Sequence, residues 1–147
     1  MADGERPARV DMREVNKQVI ATYRSSGGRS DDGSAPLVLI TTVGTKTGNE
    51  HITPVCVVED GDDLVVAGSA GGRSVHPQWY KNLAAKGEVT VEYLGDTYRA
   101  RATTVPNSPD RDRLYNMMST VIDGLYRYQD KCRENRQIPI VRLERIT

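Results

Sequence analysis

The stretch that decides the fold is residues 37–67, LVLITTVGTKTGNEHITPVCVVEDGDDLVVA, in which three apolar runs are separated by two turns of glycine and polar residues. Short runs rich in Val, Ile and Thr and bounded by such turns are typical of strands joined by hairpins. The sequence therefore predicts antiparallel strands over residues 37–43, 51–58 and 64–67. Pro54 has no amide to donate to a sheet, so its strand is expected at an edge or a bulge.

Outside this stretch the pattern predicts three more strands and three helical segments. The strands cover residues 89–93, 98–105 and 138–146, and the helices begin at Asp11, Pro77 and Ser108, the last broken near Gly124 and resumed through Cys132. Asp11 and Glu14 have the spacing of a helix capping box. Six strands joined mostly by hairpins, with short helices outside them, favour a mainly β (α+β) barrel over a parallel α/β sheet.

The composition limits the classes of function. A chain of 147 residues predicts one domain, over residues 11–147, preceded by a flexible N-terminus at residues 1–10. Basic and acidic residues number 20 each, so there is no basic excess of the kind that nucleic-acid binding requires. Cys56 and Cys132 lack metal-ligand or disulfide spacing, and no metal is expected. Without a long apolar run or a signal-like segment, the default expectation is a cytoplasmic protein.

The segment SAGGRSVHPQWYKNL, residues 69–83, combines a glycine loop with the start of a helix. Gly71 and Gly72 carry no Cβ, so their amides can approach an anion or a flat ring closely and can adopt positive φ. Pro77 suits the first turn of a helix, because it has a fixed φ and no amide to leave unpaired. The pattern predicts a cofactor loop that leads into a helix.

A second segment, TTVGTKTGNEHITP at residues 41–54, holds Lys46 in a turn bracketed by Gly44 and Gly48. A lysine in an exposed turn can bind a phosphate or carboxylate, although a solvated surface lysine is an equally good reading of the same pattern. The upstream glycines of a nucleotide-binding phosphate loop are absent, which argues against hydrolysis of nucleoside triphosphates.

In order and separation, these two segments resemble the deazaflavin-dependent nitroreductase family, reductases that use coenzyme F420, and the resemblance covers nearly the whole chain. It implies a split β-barrel of the flavin-reductase and pyridoxamine-phosphate-oxidase type. It also implies that the reduced coenzyme, an 8-hydroxy-5-deazaflavin with a phospholactyl-polyglutamate tail, passes a hydride to an electron-poor acceptor such as a quinone, an enone or a nitro compound. In such enzymes the coenzyme carries the chemistry and the protein supplies positioning.

The resemblance further implies which residues form the site. The turn around Lys46 would contact the anionic tail, and the loop at Ser69 would contact the ring. The implied coenzyme-binding residues are Thr45, Lys46, Thr47, Gly48, His51, Pro54, Ala67, Ser69, Ala70, Gly71, Gly72, Trp79 and Asn82. Tyr126 and Tyr128 are expected at the acceptor, with Ser69 and Tyr128 as candidate proton donors and therefore as the catalytic residues.

The same resemblance leads to expectations about the electron acceptor and about binding partners. Ile122 and Leu125 stand where some nitroimidazole-reducing relatives have aromatic residues, so quinones or similar acceptors are expected rather than nitroimidazole drugs. The partner is a small-molecule acceptor, the chain is expected to be a monomer or homodimer, and peripheral membrane contact stays open because quinones can be lipid-soluble. Two alternatives remain: an FMN-binding split-barrel oxidoreductase, and a non-enzymatic carrier of the cofactor or of a lipid.

Overall fold

The computed structural model describes residues 12–29 and 35–146. The helices are α1 (Met12–Ser25), α2 (Gln78–Lys86), α3 (Pro109–Met118) and α4 (Leu125–Cys132); the strands are β1 (Leu37–Val43), β2 (Glu50–Cys56), β3 (Val58–Asp60), β4 (Asp63–Ala67), β5 (Glu88–Tyr93), β6 (Asp96–Thr104) and β7 (Ile140–Arg145). The flexible N-terminus predicted at residues 1–10 and the capping residue Asp11 lie outside the described residues.

The strands form one antiparallel sheet in the order β2-β1-β5-β6-β7-β4-β3. β2 and β3 are consecutive in the chain with Val57 alone between them, yet they occupy opposite edges of the sheet. The sheet must therefore curl so that its two edges approach each other, which produces a split barrel. Pro54 lies in the edge strand β2 opposite Leu39, as predicted.

Residues 51–58 do not form the single strand that the sequence predicts, so there are seven strands rather than six. Val57 is fully buried, and its amide donates to the carbonyl of Pro36 at 3.1 Å rather than to a neighbouring strand. All four residues from Val55 to Val58 are apolar, because Val55 and Val57 face the barrel interior while Cys56 and Val58 pack against the other hydrophobic cluster. The chain leaves β2 and starts β3 at Val57 because the barrel closes there. The spacing of apolar residues within the run does not reveal this.

Alternate residues of β4 divide the core into two clusters. Leu64 and Val66 face the barrel interior, whereas Val65 and Ala67 face an outer cluster formed with α3 and α4. This alternation follows from the period of two in a strand. Both sides of the sheet are therefore covered, one by the closed barrel and the other by the two helices.

Helix α2 packs against the barrel interior and follows directly after the glycine loop. Leu83 is buried in the interior cluster, and Trp79 and Tyr80 pack against it while partly exposed. Pro77 occupies the position before the first helical residue, with φ −64° and ψ 151°, and Gly87 ends the helix with φ 75°. No helix within residues 12–29 and 35–146 is long and apolar enough to cross a bilayer.

An ion-pair cluster fixes α3 to the sheet at Asp60. The Asp60 carboxylate pairs with Arg113 at 2.9 Å and with Arg142 at 3.0 Å, and Arg142 also pairs with Asp63 at 3.0 Å. Hydrogen bonds from Arg113 and then Arg142 lower the pKa of Asp60 from its ordinary value to about 2. The folded protein therefore holds this carboxylate ionised more strongly than the unfolded chain does.

We expect the free energy of unfolding to decrease between about pH 4 and about pH 2, as Asp60 becomes protonated. The contribution is fully present above the unfolded pKa and is lost as the pH falls through the folded one. It amounts to no more than about 1 kcal/mol, because surface ion pairs are screened. Asp60→Asn should flatten this part of the profile in urea titrations, whereas Asp62→Asn in the same turn, which has no ion pair among the described residues, should not.

Candidate functional site

The turn between β1 and β2 presents an exposed cation. Its shape comes from two backbone hydrogen bonds, from Gly44 N to Asn49 O at 2.8 Å and from Gly48 N to Gly44 O at 3.0 Å. Residues 45–48 are all exposed, and Gly48 has φ 73° with open space beside it. Among the described residues, no carboxylate forms an ion pair with Lys46. Its ammonium group is therefore available to an anionic ligand.

Thr47 and His51 lie together at the base of this turn. A Cβ added to Gly44 would come within 2.9 Å of Thr47 Oγ1 and 3.1 Å of His51 Nε2, so both side chains fold over Gly44. The Thr47 hydroxyl also accepts from the amide of Asn49 at 3.2 Å. The structure thus brings these two predicted residues beside Lys46.

The glycine loop forms an unusual left-handed turn. Ser69 is right-handed, with φ −71° and ψ −39°, and it is followed by Ala70 at φ 45°, Gly71 at φ 62° and Gly72 at φ 77°. The turn's own hydrogen bonds run from Gly72 N to Ser69 O and from Arg73 N to Ala70 O, and no described residue accepts from the amides of Ala70 and Gly71. Successive amides in such an arrangement form an anion-binding concavity. Apart from the loop's own adjoining backbone, no atom of the described residues lies within 4 Å of a Cβ placed on Gly71, so this side of the loop is open.

Gly72 faces the opposite way and packs on α4. It is buried, and a Cβ at this position would lie 2.9 Å from both the Cα and the carbonyl oxygen of Tyr128. The backbone of Tyr128 is thereby placed beside the loop, and its role at the acceptor stays a prediction. Its hydroxyl forms no hydrogen bond with a described residue, and within residues 12–29 and 35–146 no buried side-chain polar atom lacks a partner, so this hydroxyl reaches solvent.

Arg136 holds the loop and was missed by the sequence reasoning. Its guanidinium donates to the carbonyl oxygens of Gly68 at 2.8 Å, Ser69 at 2.7 Å and Arg73 at 2.9 Å, and it contacts His76 Nδ1 at 3.2 Å. These partners lie sixty or more residues away in the chain, so no local pattern indicates the contact. Holding the carbonyls on both sides of Ala70 stabilises a φ that L-residues other than glycine seldom adopt.

His76 is a neutral acceptor in this arrangement. Arginine has only donors, so the contact with Arg136 requires an unprotonated Nδ1 and places the ring proton on Nε2. Burial, followed by the charges of Arg136 and Lys81, lowers the pKa of His76 below its ordinary value. The imidazole therefore adds no positive charge to the loop at neutral pH.

Asn82 lies at the junction between α2 and β1. It is 1 % exposed, its Nδ2 donates to Thr42 Oγ1 at 3.1 Å, and its Oδ1 accepts from Gln78 Nε2 at 2.9 Å. Its amide joins the helix after the glycine loop to the strand before the lysine turn. Its contact with a coenzyme stays a prediction. Ala67, also predicted at the coenzyme, is buried beneath α3 and α4 in the outer cluster.

Tyr126 and Tyr128 are not brought together. Two residues along a helix are about 200° apart around its axis. Tyr126 is 55 % exposed, its ring lies 5.1 Å from that of Tyr115, and its hydroxyl donates to Asn116 Oδ1 at 3.2 Å. Only Tyr128 therefore adjoins the glycine loop.

The chain is similar to F420-dependent reductases in sequence and in structure. The sequence profile of the F420H(2)-dependent quinone reductase family matches residues 12–145. The F420H(2)-dependent quinone reductase Rv1261c of Mycobacterium tuberculosis is 32 % identical over 130 residues, covering 85 % of this chain and 86 % of the relative. A solved F420-H2 dependent reductase, FDR-A, is 28 % identical with a TM-score of 0.65, covering 74 % of this chain and 94 % of that one.

Further structural likenesses concern assembly and fold. A solved domain-swapped dimer is 26 % identical with a TM-score of 0.67, over 90 % of this chain and 98 % of that one. A candidate pyridoxamine 5′-phosphate oxidase from Listeria innocua is 11 % identical with a TM-score of 0.53, over 89 % of this chain and 94 % of that one. At that identity the likeness concerns the fold alone, and it confirms the predicted split β-barrel.

Proposed function

This chain belongs to the F420H(2)-dependent quinone reductase family of oxidoreductases, which use coenzyme F420, and we propose that it transfers a hydride from the reduced coenzyme to an electron-poor acceptor, a quinone, an enone or a nitro compound. The observation that supports this most directly is the open turn at Ser69–Gly72, in which the amides of Ala70 and Gly71 have no partner among the described residues. The family match over residues 12–145 includes this turn.

The residues present fit the coenzyme. The amides of Ala70 and Gly71 would donate to electronegative atoms of the ring, since Gly71 leaves open space for close approach. Lys46, without an ion-pair partner among the described residues, would hold the anionic tail. When bound, the reduced coenzyme supplies the hydride, and the protein orients it and excludes water.

Our candidate proton donors are the hydroxyls of Ser69, in the glycine loop, and of Tyr128, whose backbone contacts that loop. Ser69 begins the turn, and Tyr128 lies on α4 where its backbone contacts Gly72. Neither hydroxyl is held by a hydrogen bond to another described residue, so each is free to donate to an oxygen that gains negative charge during reduction. Residues that are already committed, such as Tyr115, whose hydroxyl donates to Leu125 O at 2.9 Å, cannot take this role.

A direct assay tests the proposal. Purified protein is mixed with reduced coenzyme F420 and a soluble benzoquinone, and the appearance of the oxidised coenzyme's absorption is followed. We expect catalytic turnover that needs both reactants and saturates with each. Binding of the coenzyme without acceptor-dependent oxidation, across quinone, enone and nitro acceptors, would indicate a carrier, and a protein purified yellow with FMN would indicate the flavin alternative.

Lys46→Ala is expected to raise the dissociation constant of tail-bearing coenzyme F420 about tenfold or more, because a charge-assisted contact is lost. The tail-free deazaflavin should bind equally well to both proteins. Lys86→Ala, which removes an exposed lysine at the end of α2, is the matched control and should leave both affinities unchanged. Equal weakening for the two ligand forms would rule out a contact between Lys46 and the tail.

If the Tyr128 hydroxyl supplies the proton, Tyr128→Phe is expected to reduce kcat to about a tenth or less. The affinity for the coenzyme should change little. The ring and its packing against the outer cluster are retained. Tyr126→Phe, on the other side of α4, should have no such effect on kcat. An unchanged kcat for Tyr128→Phe with every acceptor would make Tyr128 a packing residue and leave Ser69 or water as the donor.

We also propose that the chain forms a homodimer, on the basis of its likeness to a domain-swapped dimer. Size-exclusion chromatography with light scattering measures the mass directly. A mass of about 33 kDa, twice the 16.3 kDa of the chain, is expected. A concentration-independent monomer would contradict the proposal.

A further inference from the structure

A cavity of about 550 Å³ lies between α3, α4 and the segment that leads to β7. Its charged lining consists of Arg111, Arg133 and Arg136, with Asp112 as the one carboxylate. Within the described part of the chain, none of these three arginines forms an ion pair. The cavity therefore has a net positive charge that the described side chains leave uncompensated.

Arg111 is the strongest evidence that the positive charge of this cavity serves to bind an anion. It is only 8 % exposed, its Nη2 donates to Ile138 O at 2.5 Å, and its guanidinium lies 5.3 Å from the centre of the Tyr115 ring. Its other guanidinium nitrogens have no partner among the described residues, and since no buried side-chain polar atom in that part of the chain is left unpaired, these nitrogens face the solvent of the cavity. Keeping a largely buried cation without a counter-ion is costly, and a bound anion would offset that cost.

The remaining wall of the cavity is aromatic. Tyr115 and Tyr126 both line it, with ring centres 5.1 Å apart and planes tilted by 59°. Their hydroxyls donate to Leu125 O and to Asn116 Oδ1, respectively. The two tyrosines therefore offer a ligand mainly the apolar surface of their rings. Burial raises the pKa of Tyr115 to about 12, so its ring stays uncharged beside an incoming anion. A flat apolar body would pack on these rings while arginines bind its acidic group.

We propose that this cavity binds an aromatic carboxylate, with the carboxylate held by Arg111 and Arg133 and the ring packed on Tyr115 and Tyr126. Planar guanidinium groups match carboxylates in a two-pronged geometry, and aromatic faces supply the apolar contact. The site is additional to the open side of the glycine loop, although Arg136 contacts both the loop carbonyls and the cavity. The inference does not depend on the coenzyme.

Isothermal titration calorimetry of the full-length protein with benzoate in dilute buffer tests the site. We expect saturable binding of one benzoate per chain and no detectable binding of benzyl alcohol, which keeps the ring but lacks the charge. Arg133→Gln should weaken benzoate binding about tenfold. The matched control is Arg127→Gln, which replaces an exposed arginine of α4 that does not line the cavity, and this variant should bind benzoate as the unaltered protein does.

Arg133 is exposed and forms no hydrogen bond with a described residue, so Arg133→Gln should stay folded, which a thermal melt verifies. Tyr126→Ala is a second variant that removes part of the aromatic wall and should also weaken benzoate. Absence of saturable benzoate binding, or equal affinity in Arg133→Gln and Arg127→Gln, would overturn the proposal.

Two further titrations distinguish other anions. Inorganic phosphate binding as tightly as benzoate would overturn the aromatic part of the assignment. Displacement of benzoate by tail-bearing coenzyme F420, but not by the tail-free deazaflavin, would identify the cavity as the tail site and overturn its independence. Unchanged benzoate affinity in the presence of the coenzyme supports an additional site.

Discussion

Arg136→Gln is expected to destabilise the protein by about 2–4 kcal/mol and to weaken coenzyme binding at least tenfold. The carbonyl oxygens of Gly68, Ser69 and Arg73 all accept from this one guanidinium, and a neutral amide cannot reach all three. Without these bonds, Ala70 has less to hold it at its φ of 45°. Urea unfolding and coenzyme titration measure the two effects separately.

Arg136→Lys serves as the comparison, because it keeps the charge but replaces a planar fork with a single ammonium group. It should recover only part of the stability and little of the affinity. If Arg136→Gln lost stability but bound the coenzyme normally in the folded fraction, the geometry of the loop would not depend on Arg136.

Arg136→Gln should also change the pKa of His76, which can be measured by spectroscopy. Burial is the largest cause of the lowered pKa of His76 and persists in the variant, whereas the contribution of Arg136 is removed. The pKa should therefore rise partway towards its ordinary value, which an NMR titration of the imidazole would show. Because the folded pKa is lowered, the His76 contribution to stability is present above the unfolded value of about 6.5 and is lost as the pH falls.

Gly72→Ala is expected to reduce the free energy of unfolding by about 2–5 kcal/mol, the sum of two costs. An L-residue at φ 77° costs about 1–2 kcal/mol, and a Cβ placed 2.9 Å from the Tyr128 backbone adds about 1–3 kcal/mol of overpacking. The contacting atoms belong to the main chain of α4, so no side-chain rotation relieves them. Thermal melts and urea titrations measure the loss.

Gly71→Ala separates these two costs. It has φ 62° but open space around its Cβ, so only the conformational cost of about 1–2 kcal/mol applies. Its methyl group would project towards the side where the coenzyme is proposed to lie, so affinity should fall more than stability does. Equal loss of stability in the two variants would show that packing against α4 contributes nothing.

Arg136 and Gly72 fix the shape of the glycine loop. Arg136 holds its carbonyl oxygens, and α4 supports it at Gly72, while the Gly71 side remains open. The glycine loop is therefore shaped by residues that lie away from its open side. Such preorganisation lowers the ordering cost of binding.

Much of this architecture was predictable because its determinants are local. The turn between Gly44 and Gly48, the start of α3 at Ser108 and Pro109, and the glycine loop before α2 all follow from backbone preferences within a few residues. The two segments around Lys46 and Gly71 were enough to identify the family, which the profile match confirms. Their roles in binding coenzyme F420 remain predictions.

The tertiary structure decided what depends on contacts between distant residues. Closure of the barrel split the strand at Val57, and a contact across 40 residues engaged Asn82 with Thr42. The sequence indicates that Gly72 should be glycine, but only the position of α4 shows that packing is a reason. Arg136 lies in a segment without a local motif, yet it binds a loop more than sixty residues away. Local chemistry determines turns and helix ends, whereas long-range packing determines which polar groups remain free for a ligand.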